Sequence, residues 1–248
     1  MCLLINQSKG AKVSREKLQT AYEYNNDGVG YSYAFSGQLH IRKFRDFKEF
    51  YSHYKQDVKT FGQDSDFIIH FRLSTHGLSK GVFNVHPFKV SDNIVFAHNG
   101  VINKVEDDKK LSDTQVFNEK ILKELPSDFI SNKYFIDMIA DFIGFNNKLV
   151  FLNSRGDSVI VNENAGHNIK GVWYSNKSYE DYSCADPRFY GSYLGSTGQS
   201  SVWDIDEGTE PHCDWCWCVD SELNNVLYSD SEGEKQLIKL CDTCKRYK

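Results

Sequence analysis

The sequence has no apolar run long enough to cross a bilayer. Its longest runs, such as LVFL at 149–152, fall far short of the roughly 20 residues that a spanning helix needs. An excess of positive charge is also missing, because 29 Lys and Arg stand against 34 Asp and Glu and give a formal charge of -5. Such a chain lacks the electrostatic footprint of a nucleic-acid-binding protein. We therefore expect no membrane partner, and the composition does not favour a nucleic-acid partner.

Internal repeats, low-complexity tracts and an apolar leader are absent as well. With 40% hydrophobic and 25% charged residues, the composition is typical of a globular chain and not of a disordered one. Its 248 residues fit one large domain, or a domain with a small appendage. Seven cysteines without a secretory signal indicate a reducing compartment, so we expect a cytoplasmic location.

Five of the seven cysteines crowd into the last 36 residues. Two C-x₂-C pairs lie there, separated by 24 residues, which is the pattern of a zinc ribbon with a slightly long interval. Four thiolates at about 2.3 Å form a closed structural Zn²⁺ site that can fold a small segment. The predicted ligands are Cys213, Cys216, Cys241 and Cys244. Cys218 and His212 are spare candidates, and reduced cysteines in a disordered tail are the alternative.

A change in composition divides the chain. Gly, Ser and acidic residues replace apolar periodicity at about 191–210, which indicates a linker. This division predicts a main domain over 2–190 and a zinc-ribbon-like module over 211–248. The loop between the cysteine pairs is acidic, so a role in partner docking or scaffolding is favoured for the module.

Strands and helices are mixed in the main domain. β-like runs occur at 28–35, 38–44, 66–73, 93–99, 148–154 and 157–163, and SRGD supplies a hairpin turn between the last two. Helical patterns cover 14–24, 45–56, 112–125 and 131–144, with Ser112 and Ser131 as N-caps. Because no strict βαβ rhythm appears, we expect antiparallel sheets packed against helices.

The position of Cys2, directly after Met1, allows two interpretations. A free cysteine is often a small buried hydrophobe, here in an edge strand. Alternatively, removal of Met1 would place the thiol and a free α-amine on one residue. An α-amine titrates near pH 7.7–8.0 in model compounds, so it can act as the general base for its own thiol.

Four further stretches favour the second interpretation. They are NNDGVGYSYA at 25–34, HFRLSTHG at 70–77, AHNG at 97–100 and LSDTQVF at 111–117. With the Met-Cys start, their order and spacing resemble those of class II glutamine amidotransferase domains, over roughly residues 2–180. The chain departs from the common family pattern at Leu3, where many members have glycine, and at Leu73, where an aromatic residue is frequent.

The resemblance implies a fold and a set of site residues. The fold is an α+β, four-layer αββα N-terminal-nucleophile hydrolase sandwich, here with a small zinc-binding appendage. Cys2 would be the nucleophile, and Asn99 with the Gly100 backbone N–H would stabilise the oxyanion, where a lost donor costs about 10²–10³ in rate. Arg72 would bind the carboxylate of glutamine and Asp113 its ammonium group.

Each of these assignments has a structural alternative. Asn99–Gly100 could be a hairpin turn, Arg72 a charge on a strand surface, and Asp113 a helix-start residue. Thr75 and His76 would line the substrate pocket. Three other histidines are expected to be hydrogen-bonded residues of strands and turns, namely His70, His86 and His98.

The sequence therefore predicts hydrolysis of the side-chain amide of L-glutamine through a Cys2 thioester. Glutamate and ammonia would be the products, and a separate synthase or ligase would accept the ammonia. One alternative is a stand-alone amidohydrolase of a γ-glutamyl amide, and another is a non-catalytic binding protein of the same fold.

Overall fold

The chain forms two compact units, Met1–Glu180 and Asp181–Lys248. A computed structural model describes residues 2–73, 82–106, 108, 110–180, 223–229, 235–240 and 242–245. The predicted linker at 191–210 lies outside these ranges, so the domain boundaries stay predictions.

The described part of the first unit contains ten β-strands and four α-helices. The strands are β1 (Leu3–Gln7), β2 (Val29–Phe35), β3 (Gln38–Phe44), β4 (Phe67–Phe71), β5 (Phe88–Ser91), β6 (Ile94–Asn99), β7 (Lys148–Asn153), β8 (Ser158–Val161), β9 (His167–Ile169) and β10 (Val172–Tyr174). The helices are α1 (Arg15–Tyr24), α2 (Phe47–Phe61), α3 (Asp113–Lys120) and α4 (Lys133–Ile143).

Six strands form the first sheet, in the order β3-β2-β4-β1-β10-β9, with every neighbouring pair antiparallel. The strand that follows Cys2 is internal, because β1 pairs with β4 on one side and with β10 on the other. The suggestion that Cys2 belongs to an edge strand is therefore wrong.

Four strands form the second sheet, in the order β5-β6-β7-β8, and its pairs are also antiparallel. The predicted SRGD turn at 154–157 joins β7 to β8. Gly156 has a φ of +83° there, a left-handed conformation that glycine adopts without a steric cost. The expectation of antiparallel sheets in a mixed α+β unit is confirmed.

Side-chain caps fix where the helices begin. Ser112 caps α3 in a reciprocal capping box with Gln115, as the sequence predicted. Asn132, not the predicted Ser131, caps α4, because Ser131 lies in a 3₁₀ turn just before it. The amide oxygen of Asn132 accepts the backbone N–H of Tyr134 and satisfies one of the donors that a helix start leaves free.

The helices cover one face of each sheet. One core cluster joins α1 and α2 to the six-stranded sheet, for example through Phe50 and Tyr31, whose rings lie 6.0 Å apart edge to face. A second cluster joins α3 and α4 to the four-stranded sheet through residues such as Phe117 and Phe151. Full burial of each such side chain contributes about 1.5–3 kcal/mol.

A third cluster contains residues from both sheets, which therefore pack against each other through their remaining faces. Its members are Leu4, Ile68, Val95, Ala97, Val150, Leu152 and Trp173. Since side chains alternate along a strand, Cys2 shares the intersheet face of its strand with Leu4.

The described part of the second unit is a hairpin followed by a helical turn. Strands β11 (Asn224–Ser229) and β12 (Lys235–Leu240) pair antiparallel, and α5 (Asp242–Lys245) follows. Asn224 donates to Asp242 at 2.9 Å and accepts from Lys245 at 2.7 Å. These contacts hold the turn that contains Cys244 against the start of the hairpin.

No helix within the described ranges combines the length and the apolar character that a membrane span requires.

Candidate active site

The thiol of Cys2 lies beside the backbone of Leu73. Its Sγ is 3.3 Å from the Leu73 nitrogen and 3.5 Å from the Leu73 carbonyl oxygen. Burial raises the pKa of the thiol, while the Leu73 backbone contact and the charge of Arg72 lower it to a lesser extent. The resting thiol is thus protonated near neutral pH, so its use as a nucleophile requires a base.

The backbone carbonyl of Cys2 accepts a hydrogen bond from a residue near the C-terminal end of the first unit's sequence. Asn176 donates from Nδ2 to this oxygen at 2.7 Å. The Oδ1 atom of Asn176 accepts the backbone N–H of Ser178 at 3.0 Å and its hydroxyl at 2.8 Å. Both ends of the Asn176 carboxamide are therefore engaged, which fixes its orientation.

The Asn99–Gly100 pair ends β6 and is not a hairpin turn. The chain after Gly100 forms α3 and α4 before it returns as β7 at Lys148. Asn99 is 4% exposed, and its Nδ2 donates to Ser175 Oγ at 2.8 Å. Ser175 also contacts β1, so the structure brings Asn99 to the strand that follows Cys2.

Gly100 occupies a position that excludes a side chain. Its φ is +147°, and an added Cβ would lie 2.1 Å from Oδ1 of Asn147. That oxygen cannot move freely, because it also contacts Nε2 of His98 at 2.9 Å. Glycine is required here by both backbone conformation and space.

Arg72 is a buried residue just after β4 and not a strand-surface charge. It is 8% exposed, and its backbone pairs with the predicted glycine turn, with Arg72 N donating to Gly28 O at 2.8 Å and Asp27 N donating to Arg72 O at 3.0 Å. Burial lowers the pKa of Arg72, while Cys2 and Asp27 raise it. An arginine stays protonated under such opposing influences.

Asp113 is the first residue of α3, so it does occupy the helix-start position. Its Oδ2 also accepts the backbone N–H of Ile102 at 2.6 Å, two residues after Gly100. The carboxylate therefore fixes the chain that leaves the Asn99–Gly100 corner.

Three buried histidines lie in this region. His98 was expected to be hydrogen-bonded, and it contacts Thr114 Oγ1 at 2.8 Å as well as Asn147. For His70 and His86 the expectation is not confirmed, because among the described residues their ring nitrogens make no hydrogen bond of normal geometry. The backbone of His98 lies close enough to His70 to raise its pKa, but to a lesser extent than burial lowers it.

Burial keeps this cluster uncharged near neutral pH. Burial lowers the pKa of His70 to about 3 and that of His86 well below its ordinary value. Neighbouring basic groups, Arg72 among them, lower both pKa values further. Burial likewise lowers the pKa of Lys43 to about 7, with its amine 4.8 Å from the ring centroid of Phe88.

Several predicted site residues lie outside the described part of the chain. This holds for Thr75 and His76 in the pocket motif and for three of the predicted zinc ligands, Cys213, Cys216 and Cys241. Cys244 belongs to α5, but its side chain is not among those described. Within the described residues, no group of three or more His, Cys, Asp or Glu side chains is arranged to hold a metal ion.

Two residues of the site, Ser175 and Asn176, were missed by sequence reasoning. They follow β10 in the polar run YSNKS, which reads as a loop. Only their long-range contacts, with residues more than 70 positions away, reveal them.

Comparison with known proteins gives no family assignment. The chain matches no protein-family model, and no curated protein is significantly similar to it.

Proposed function

We propose that the first unit is a class II glutamine amidotransferase domain that hydrolyses L-glutamine to glutamate and ammonia. The observation that carries this proposal is the grouping of Cys2, Arg72 and Asn99 around the start of one central strand. Arg72 and Asn99 lie 70 and 97 positions after Cys2 in the sequence. Contacts with Leu73, Gly28 and Ser175 bring the three residues to one end of the two sheets.

The architecture supports the same proposal. Two antiparallel sheets pack face to face, and each is covered by helices on its other face. We infer that this is the four-layer αββα sandwich of N-terminal-nucleophile hydrolases, in which the nucleophile begins a central strand.

The proposed reaction starts with removal of Met1, which frees the α-amine of Cys2. The amine takes the thiol proton as Sγ attacks the side-chain carbonyl carbon of glutamine, and a tetrahedral oxyanion forms. The Asn99 side chain and the Gly100 N–H stabilise this oxyanion. The C–N bond of the substrate amide then breaks as the α-ammonium group of Cys2 returns the proton to the leaving nitrogen. Ammonia departs, and the glutamyl group stays on Cys2 as a thioester. Water hydrolyses the thioester to glutamate and regenerates the thiol.

Charge complementarity supports glutamine as the substrate. Arg72 would pair with the α-carboxylate and Asp113 with the α-ammonium, while Thr75 and His76 would line the remainder of the pocket. Each charge-assisted contact contributes roughly 1.5–3 kcal/mol, so the pair selects a free amino acid.

The second unit is proposed to be a zinc-bound docking module. Two C-x₂-C pairs flank the β11–β12 hairpin, and thiolate pairs from both sides of a hairpin suit tetrahedral Zn²⁺. Such a module would bind a separate synthase or ligase that uses the ammonia, in a cytoplasmic setting that keeps the thiols reduced.

Ammonia release from L-glutamine tests the main proposal. We expect wild-type chain that begins at Cys2 to release ammonia, Cys2→Ala to release none above background, and Cys184→Ala to match wild type. A diazo-ketone analogue of glutamine should label the Cys2 peptide. Turnover that survives in Cys2→Ala, labelling of Cys184 alone, or a retained Met1 in an active chain would overturn the proposal.

A further inference from the structure

Ser175 connects the two sheets at the nucleophile end of the unit. Its Oγ accepts the backbone N–H of Leu4 at 2.9 Å and the side-chain N–H of Asn99 at 2.8 Å. Its own backbone N–H donates to the Leu4 carbonyl at 2.9 Å. Ser175 is 2% exposed, so water does not compete for these contacts. One hydroxyl thereby links β1 of the first sheet to β6 of the second.

This arrangement sets the direction of the second N–H of Asn99. A carboxamide nitrogen carries two hydrogens, and the one given to Ser175 fixes the rotation of the amide plane. The other hydrogen is then held in a defined direction before substrate binds. A donor that needs no reorganisation is what makes an oxyanion contact effective.

Asn176 performs the corresponding task for Cys2. Its amide donates to the Cys2 carbonyl at 2.7 Å, and Ser178 holds the other end of the amide. Ser178 is in turn a hydrogen-bond acceptor for Asn25 at 3.2 Å. Because the carbonyl is fixed, rotation of the Cys2 backbone is restricted. In the proposed reaction the base is the α-amine of the same residue, so this restriction sets the geometry between amine and thiol.

We propose that Ser175 and Asn176 are positioning residues, Ser175 for the oxyanion donor Asn99 and Asn176 for the nucleophile Cys2. The inference rests on the proposed glutamine hydrolysis. Neither residue touches the reacting atoms in this scheme. Each acts through a residue that does.

Steady-state kinetics of Ser175→Ala test the first half. Since the oxyanion contact forms only in the transition state, we expect kcat for ammonia release to fall about tenfold to a hundredfold, with KM for glutamine within about threefold of wild type. Ser175→Thr restores the hydroxyl and should recover most of the lost kcat. Unchanged kcat in Ser175→Ala, or a rise in KM alone, would overturn the assignment.

Ser65→Ala is the matched control. Ser65 is 1% exposed, and its Oγ accepts a backbone N–H from Ala34 at 2.9 Å, far along the sheet from Cys2. Its loss leaves a comparable buried donor unpaired, so stability should fall while kcat stays at the wild-type value. Equal losses of kcat in Ser65→Ala and Ser175→Ala would show a general structural effect and contradict positioning. If Ser175→Ala does not fold, Ser175→Cys keeps the shape with a weaker acceptor and should show the same fall in kcat.

Alkylation of Cys2 by iodoacetamide tests the second half without glutamine. We expect Asn176→Ala to slow alkylation at pH 7.5 by about threefold or more, because the thiol leaves its Leu73 N–H contact and a smaller fraction is thiolate. Asn118→Ala is the control, since buried Asn118 donates to the Lys89 carbonyl at 2.9 Å on the second sheet. An unchanged rate in Asn176→Ala would refute positioning. If Asn176→Ala slows alkylation but the wild-type chain releases no ammonia from glutamine, the positioning of Cys2 by Asn176 stands and only the glutaminase proposal is refuted.

Discussion

The imidazole rings of His70 and His86 lie with their centroids 4.2 Å apart in the interior of the first unit. Among the described residues no ring nitrogen of either residue makes a hydrogen bond of normal geometry, and the neighbouring titratable groups Lys43, Arg72 and His98 are all basic. A proton on either ring would therefore be buried beside like charges.

This pair predicts a loss of stability in acid. The pKa of an unfolded histidine is about 6.5, whereas burial lowers that of His70 to about 3, so below pH 6.5 the unfolded chain binds protons that the folded chain excludes. Stability should fall as pH drops from 6.5 towards 3, by up to about 1.4 kcal/mol per pH unit for each histidine. Denaturant unfolding at a series of pH values measures the slope.

The double variant His70→Leu/His86→Leu should flatten that slope between pH 6.5 and 4. His53→Leu is the comparison, because His53 is only partly buried and stacks on Phe44. Burial lowers the pKa of His53 as well, so this variant should flatten the slope, but less than the double variant does. A slope in the double variant equal to that of wild type would refute the assignment.

A second prediction concerns Gly100, whose missing side chain leaves room for Asn147. Gly100→Ala adds a clash at 2.1 Å to an unfavourable backbone conformation, and we expect it to destabilise the unit by more than about 2 kcal/mol. Gly37→Ala isolates the backbone contribution, since Gly37 has a φ of +76° with nothing within 4 Å of an added Cβ. It should cost about 1 kcal/mol. Equal losses in thermal unfolding for the two variants would mean that the clash relaxes.

The predicted glutamine contacts can be separated from structural roles by their effect on KM. Arg72→Ala and Asp113→Asn each remove a charge-assisted contact, so KM for glutamine should rise about tenfold to a hundredfold. Asp57→Asn is the matched control, because Asp57 is a buried acid that pairs with Arg42 on the helix-covered side of the first sheet. It should lower stability and leave KM unchanged. If both pocket variants retained wild-type kinetics, the glutamine site would be excluded.

Metal content provides a fourth prediction. We expect about one zinc per chain in protein purified without added metal, and a proportionate loss in a variant with Cys213 and Cys216 both replaced by serine. Elemental analysis measures the ratio. Cys184→Ser is the control and should keep its zinc. Full zinc content in the double serine variant would show that the paired cysteines are not the ligands.

Local signals in the sequence were enough to predict much of the first unit. The four helices were expected from their apolar periodicity, and Ser112 was expected as a cap from its position before such a run. Predicted limits were less accurate, since α2 continues to Phe61, five residues past its predicted end at 56. Its last turn buries part of its surface against the sheet, and burial of this kind is invisible in a short sequence window.

The shortest strands and the positioning residues of the proposed site could not be predicted from local sequence signals. Strands β9 and β10 have three residues each, too few for alternation to be recognised. Ser175 and Asn176 act through partners that lie far away in sequence. The hydrogen bonding of His70 and His86 could not be predicted for the same reason, because it depends on which residues the fold brings near.

The central position of β1 makes its pairing a long-range step of folding. Its neighbours in the first sheet are Phe67–Phe71 and Val172–Tyr174, so both edges of β1 are paired only when segments from opposite ends of the unit have come together. The Cys2 carbonyl accepts from Asn176, which lies 174 positions further along the chain. The geometry at Cys2 is therefore complete only when the unit as a whole has folded.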